Sequence, residues 1–169
     1  MASSIAPELQ VLLDIEAIKQ LKARYCKYAD SGKNADDFAN LFTGDAVLDE
    51  GPDGVFSGRA AIRQMYIDLW PYFKLNQHLV LNPIIEVDGD RASGEWRLFQ
   101  TLTTIHPDGD RAFWAVGQYD ENYLRVNGDW RFDHVKVVTH FCCDYDEGWA
   151  KSPFGQVLPA AAMEALGLA

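Results

Sequence analysis

An α+β fold, with helices on one face of a curved antiparallel sheet, is what this sequence predicts. Three observations carry the prediction. Helical periodicity is confined to the first part of the chain, strand patterning fills residues 78–141, and the strands are long and joined by short turns rich in Asp, Asn and Gly.

Each element follows from local chemistry. Residues 8–29 read as a helix, because Ile18, Leu21, Tyr25 and Tyr28 follow a 3-4-3 spacing along one face. Asp14 is placed to cap a continuation of that helix, and Ser31-Gly32 ends it. Residues 35–42 read as a short second helix. Residues 46–50 and 55–57 read as two short strands across the turn Gly51-Pro-Asp-Gly54. Gly58 opens a third helix over 59–69, which Pro71 stops. A strand opened by His78 and running to Val87 meets 91–104 across Asp88-Gly89-Asp90, a hairpin turn of the Asp-Gly kind. His106-Pro-Asp-Gly-Asp110 then leads into 111–126, and Asn127-Gly128-Asp129 into 130–141.

Long strands with such tight connections pair antiparallel and twist strongly. Helices on one face make the sheet a cone with an internal pocket. One face of the stretch 113–119 carries Phe113, Ala115, Gly117 and Tyr119, and the other Trp114, Val116 and Gln118. A sheet apolar on both faces is usually covered on both. The convex face is therefore expected to meet another copy of the chain, as a dimer or trimer. Residues 1–143 are expected to form the cone domain. Residues 144–169 are a tail that closes as a flap, docks at an interface or frays.

At 169 residues the chain is long enough for one sizeable core. Its net charge of −10 disfavours nucleic acid and anionic membranes as partners, since both need clustered Lys and Arg. Three cysteines, with Cys142 and Cys143 adjacent, make no disulfide framework and point to reduced thiols in the cytoplasm. The N-terminus lacks the layout of a signal peptide, and no apolar run approaches the ~20 residues needed to cross a bilayer. No glycine-rich segment matches a phosphate loop or a dinucleotide fingerprint, so no nucleotide cofactor is expected.

Two residues far apart in sequence stand out. Asp30 follows the first helix, at its negative dipole end, where a carboxylate is disfavoured. His78 lies on the first long strand. A carboxylate that orients an imidazole is a general-base device that needs no cofactor. A lone strand histidine is more often an ordinary hydrogen-bonded residue, and helical stepping does not aim Asp30 at the Tyr25/Tyr28 face. Tyr25 and Tyr28 share the buried face, where core packing competes with a role as pocket hydrogen-bond donors. Strict alternation puts His134 and His140 on the Trp130/Phe132 face, within reach of the pocket. His106, in its Pro-Asp-Gly turn, is expected at the surface. Trp96 and Phe113 are candidates to line a cone suited to a flat apolar ligand, with core as the competing role. No ligand pair among His78, His134, His140 and Asp30 has metal-site spacing, so no metal is expected.

The order of elements resembles the SnoaL-like branch of the nuclear-transport-factor-2-like superfamily over roughly residues 8–143. The resemblance rests on Asp14-Ile-Glu-Ala-Ile-Lys-Gln-Leu-Lys-Ala-Arg-Tyr25, Asp30, Leu41-Phe-Thr-Gly-Asp-Ala46, the Phe56-Ser-Gly58 turn, His78 through Asp90, and Gly94-Glu-Trp96. The opening helix looks most like that of bile-acid dehydratases, and Leu69-Trp-Pro71 like hexachlorocyclohexane dehydrochlorinase; scytalone dehydratase is a more distant cousin. The resemblance implies that Asp30 supports His78, that His78 abstracts a proton, and that Tyr25 faces the pocket. The chain departs from the pattern twice. It offers no Arg on the last strand past Arg131, and Gln100 stands where the dehydratases carry a carboxylate. The expected activity is a cofactor-independent lyase of dehydratase type, acting on a bulky apolar or aromatic hydroxylated small molecule. Catalytic roles fall to His78, Asp30 and Tyr25, and substrate contacts to Tyr28, Trp96, Gln100, Phe113, His134 and His140. Retro-aldol C–C cleavage, isomerisation and cyclisation use the same base. A non-catalytic module that binds an apolar ligand is the alternative of another class.

Overall fold

A computed structural model describes residues 6–168. Helix α1 spans Pro7–Ala29, with Pro7 in its first turn, where the missing N–H costs nothing. Helix α2 covers only Ala35–Ala39. Strand β1 is Phe42–Asp49, followed by a 3-10 turn at Gly51–Asp53 and strand β2 at Val55–Ser57. Helix α3 spans Arg59–Leu69, and a 3-10 turn at Trp70–Tyr72 passes directly into β3, Phe73–Asp88. Strands β4, β5 and β6 are Arg91–Thr104, Arg111–Val126 and Asp129–Asp144. A short helix α4, Ala160–Ala165, lies in the tail.

The second helix is shorter than its sequence suggested. Phe42 already pairs with Phe132 on β6, so the apolar residues after Ala39 serve the sheet. His78 lies well inside β3 rather than at its start, because Pro71 ends α3 without breaking the approach to the strand. The strands form one curved sheet in the order β2-β1-β6-β5-β4-β3. The long strands pair antiparallel, as expected. The β1–β6 pairing is parallel, a long-range contact that no hairpin signal marks.

Turn chemistry sets the register. Asn127 and Gly128 both have positive φ, 55° and 89°, which a two-residue turn between twisted strands requires. In β3 the pairing with β4 shifts between Leu81 and Ile84, where Asn82 takes φ 49° and Pro83 has no N–H to donate. That bulge sits on the edge strand, where a proline costs no ladder bond, and it adds bend and twist to the sheet.

The main core lies between α1 and the concave face: Ile18, Leu21 and Tyr25 pack against Trp96, Leu98, Tyr119, Tyr123, Phe132 and Val135. Within it Lys22 is fully buried. Its Nζ lies 2.6 Å from Glu121 and 3.2 Å from the centroid of the Tyr119 ring. Asp14 is no cap. It is buried inside α1, ion-paired at 2.7 Å with Arg125 and accepting from Trp130 Nε1 at 3.2 Å. Arg125 draws its carboxyl below the ordinary range, against the opposing effect of burial.

The tail is ordered against the wide end of the sheet. Phe154 forms a parallel bridge with Cys142, and Val157 packs with Leu102, Phe113 and Ala115. His106 is buried rather than exposed, because Val157 covers it: Thr104 Oγ1 donates to the Val157 carbonyl at 2.8 Å, with His106 Nε2 3.1 Å from the same oxygen. All three cysteines are free thiols. No helix among the described residues is long and apolar enough to cross a membrane.

Candidate active site

Asp30 caps α1 at its C-terminus with helical φ and ψ, and its side chain reaches the edge strand β3. Its carboxylate accepts the backbone N–H of His78, with Oδ1 at 3.1 Å and Oδ2 at 3.2 Å. The same Oδ1 lies 2.6 Å from His78 Nδ1. An ionised carboxylate only accepts, so in the neutral ring Nδ1 carries the proton and Nε2 the lone pair. Nε2 has no hydrogen-bond partner among the described residues. The side chains are 10% and 18% exposed for His78 and Asp30, enough shelter to strengthen the contact without closing off the ring. One more helical step beyond Ala29 brings Asp30 to β3. Periodicity along α1 alone does not show this, because the partner strand lies 48 positions later.

Register places the other candidates. His78 pairs with Gln100, Gln100 with Ala115, and Ala115 with Cys142, so these four share one row of the concave face. Gln100 Nε2 donates to Asn76 Oδ1 at 2.6 Å, which fixes two amides beside the imidazole. Tyr25 stands edge-on to His78, ring centroids 6.3 Å apart, and to Tyr119 at 5.9 Å. Burial, with Glu50 and Glu121 nearby, holds its phenol well above the ordinary range, so it stays a hydrogen-bond donor.

Five candidates fall elsewhere. Trp96 is sealed in the core, its Nε1 donating to Tyr123 Oη at 3.0 Å. Phe113 is on the concave face, but the tail covers it: a Cβ at Gly155 would come within 3.0 Å of its ring. His134 stands on the opposite face from Trp130 and Phe132. Asn122 pairs with His134 and Tyr123 with Phe132, so Asp133 is an extra residue and alternation reverses. His134 lines a shallow outer groove with Glu86, Glu95, Asp120 and Lys136, across the sheet from His78. His140 is itself the extra residue of a second bulge, between the Gly117–Thr139 and Val116–Phe141 pairs, and is exposed. Tyr28 is half-buried against the core, and its carbonyl accepts from Tyr66 Oη at 2.7 Å.

Sequence reading missed Glu50. It follows β1 directly, and burial, reinforced by Asp53, pushes its carboxyl up to about 7, with Lys22 opposing. A Glu-Gly-Pro-Asp turn reads as surface, and the structure leaves Glu50 half-buried there. Burial also pushes the Cys142 thiol up to about 12 and that of Cys26 to about 11, so neither is a thiolate nucleophile at neutral pH. Among the described residues no three His, Cys, Asp or Glu side chains converge as a metal site.

Solved structures share this architecture. Hexachlorocyclohexane dehydrochlorinase LinA type 3 from Novosphingobium barchaimii LL02 is 18% identical, with a TM-score of 0.71 over 79% of this chain and 90% of that one. A provisionally named scytalone dehydratase from Novosphingobium aromaticivorans is 22% identical, with a TM-score of 0.71 over 79% and 89%. A protein of unknown function from Mycobacterium tuberculosis, 22% identical with a TM-score of 0.71, matches 98% of this chain, tail included, and 92% of its own. At such identities the likeness is one of fold. The SnoaL-like domain family model matches residues 10–136, most of the chain and all the elements that carry Asp30 and His78, and the chain belongs to that family.

Proposed function

We propose that this protein is a cofactor-independent lyase that dehydrates an uncharged, apolar or aromatic β-hydroxy carbonyl compound. The supporting observation is the 2.6 Å contact between Asp30 Oδ1 and His78 Nδ1, which leaves Nε2 free to accept a proton. His78 takes a proton from the carbon beside the carbonyl. The electrons left behind form an enolate, which then expels oxygen from the β-carbon to give the enone. Asp30 holds the tautomer and balances the imidazolium charge. Tyr25, protonated and edge-on to His78, is suited to donate to the enolate oxygen. Gln100 and Asn76 are suited to orient the substrate beside the base.

The probe 4-hydroxy-4-phenylbutan-2-one tests the reaction type. Dehydration yields 4-phenylbut-3-en-2-one, whereas retro-aldol cleavage yields benzaldehyde and acetone. We expect the enone, formed equally well after EDTA treatment. Benzaldehyde and acetone in its place would move the assignment to C–C cleavage. Activity lost to EDTA and restored by a divalent metal would overturn the cofactor-independent mechanism.

The outer face supports self-association as a companion proposal. Leu79, Phe99, Val116 and Phe141 form one apolar row across four strands by register. Trp114 stacks on Tyr145 and Phe141 on Trp149, while Tyr145 and Trp149 remain about 60% exposed. Exposed aromatics of this size and continuity fit a surface that another copy covers.

A further inference from the structure

Strand pairing around His78 fixes what stands beside its ring. β3 is an edge strand, so each of its N–H groups points either to β4 or to the free edge. The N–H of His78 points to the free edge, where the Asp30 carboxylate accepts it at 3.1 Å. His78 and its cross-strand partner Gln100 are therefore a non-hydrogen-bonded pair, the kind whose side chains approach most closely, with Cα atoms about 4.5 Å apart. The imidazole thus has Asp30 on its free-edge side and Gln100 on its β4 side. Asn76 lies two residues before His78 on the same face, roughly 7 Å along the strand. Gln100 Nε2 donates to Asn76 Oδ1 at 2.6 Å, so the Asn76 carbonyl is engaged and its Nδ2 is turned the other way. That nitrogen makes no hydrogen bond among the described residues. The buried side-chain atom left unpaired among them is His134 Nε2, on the other face of the sheet, so Nδ2 of the half-buried Asn76 opens to solvent. Beyond this amide the concave face is apolar: Asn76 pairs with Leu102 and Leu102 with Phe113, and Phe73 and Val157 pack on them.

We infer that Asn76 is a catalytic residue, its Nδ2 donating to the ketone oxygen that becomes the enolate, and that Gln100 is the positioning residue that sets its orientation. The inference rests on the lyase reading and names the group that meets the substrate carbonyl. The α C–H proton goes to His78 Nε2. The C–H electron pair forms the C=C bond of the enolate, and the carbonyl π pair moves onto the oxygen that faces Asn76. The carbonyl re-forms as the β C–O bond breaks with its electron pair on oxygen. That oxygen takes the proton from the imidazolium and departs as water, so every group returns to its starting state with no oxidant or reductant. An N–H aimed at the ketone oxygen is worth more to the enolate than to the neutral ketone, because negative charge grows there. Apolar neighbours such as Leu102 and Phe113 strengthen that contact by lowering the local dielectric. Direction decides the effect: an Asn76 amide turned round would present Oδ1 and repel the enolate, and the bond from Gln100 prevents that turn.

The test compares wild type with Asn76→Asp, Gln100→Glu, Gln100→Met and His78→Ala. Asn76→Asp still accepts from Gln100 Nε2 but has no N–H to give. Dehydration of 4-hydroxy-4-phenylbutan-2-one, and α-hydrogen exchange of 4-phenylbutan-2-one in D₂O, should both fall roughly 10²–10³-fold in it, the usual worth of one oxyanion donor. In Gln100→Glu the new carboxylate only accepts, so Asn76 reverses to donate to it and presents Oδ1 to the ketone; the loss should match that of Asn76→Asp. Gln100→Met leaves the amide free to turn and should lose less. A merely structural role for Gln100 predicts the opposite order, because glutamate is its closer match in shape. In protein carrying ¹⁵N-asparagine, the side-chain resonance missing from Asn76→Asp belongs to Asn76, and one of its amide protons should move downfield as 4-phenylbut-3-en-2-one is added. A resonance that does not move overturns the assignment whether or not the probe is turned over, and so does an Asn76→Asp enzyme of wild-type rate. Gln100→Met slower than Gln100→Glu overturns the positioning role. If His78→Ala fails while Asn76→Asp matches wild type, the base stands and the donor falls. If His78→Ala matches wild type while the Asn76 resonance still moves with the enone, the base falls and the ketone-binding amide stands.

Discussion

At His78 one ring nitrogen is committed to Asp30 and the other is unpaired, so the side chain has a fixed tautomer rather than a choice of two. His78→Ala removes the proton acceptor and should lower turnover of 4-hydroxy-4-phenylbutan-2-one about 10²–10⁴-fold. Asp30→Asn should be similarly severe, since an amide can hold the ring but cannot balance an imidazolium. Steady-state rates with circular dichroism as a folding control check both, and an Asp30→Asn enzyme of wild-type rate would remove Asp30 from the mechanism. At Asp14 the prediction concerns stability. Its folded pKa is depressed by Arg125, so its contribution is present above the unfolded value and is lost as pH falls through the folded one. Asp14→Asn should cost about 1–3 kcal/mol near neutral pH, with the difference shrinking in acid, as read from denaturant melts. At this scale the sequence was a partial guide. The Asp30–His78 contact was legible mainly through the family resemblance, since helical stepping alone does not aim Asp30 at the Tyr25/Tyr28 face and a lone strand histidine is more often ordinary. His134 and His140 were misplaced because a β-bulge adds a residue without leaving any signature in an alternating pattern. Asp14 was misread because its partners, Arg125 and Trp130, lie more than a hundred positions away.

Two elements, β1 in the sheet and α1 packed against its concave face, carry further tests. Glu50 sits at the end of β1, and its folded pKa is raised, so the folded state holds the proton more tightly than the unfolded chain. Stability from this residue is therefore present in acid and is lost as pH rises from the unfolded value of about 4.3 through about 7. Glu50→Gln should match wild type in thermal melts near pH 4 and gain ~2–4 kcal/mol over it at pH 8. Equal stability at both pH values would mean that Glu50 is solvated. On α1, Lys22→Met strands Glu121 in the core and should cost about 3–5 kcal/mol, whereas adding Glu121→Leu should recover much of that loss. Urea melts of the two variants measure the difference. The long strands and their turns were legible because Asp-Gly and Asn-Gly chemistry and long apolar alternation are local signals. The Lys22–Glu121 pair was not, because a lysine at one step of an amphipathic helix looks like any solvated lysine until the sheet closes over it.

The whole molecule is a curved sheet whose concave side is filled by α1 and whose outer row, Leu79, Phe99, Val116 and Phe141, is apolar. Sedimentation at micromolar concentration should show a dimer or trimer rather than a ~19 kDa chain, and Val116→Glu should shift the population toward monomer. A stable assembly of this kind buries more than about 1,000 Å². A monomeric wild type would end that proposal and leave the site untouched. Fold class was legible because each local signal agreed with the others. The parallel β1–β6 pairing, the ordered tail and the half-burial of Glu50 were not, since all three depend on contacts between distant parts of the chain. The claim that this concave site abstracts a proton is tested most directly without any leaving group. In D₂O, the protein should accelerate exchange of the α-hydrogens of 4-phenylbutan-2-one, followed by ¹H NMR, and His78→Ala should slow that exchange by roughly 10²–10⁴-fold. Exchange by the wild-type protein no faster than in buffer, or equally fast in His78→Ala, would contradict the assignment of His78 as the base.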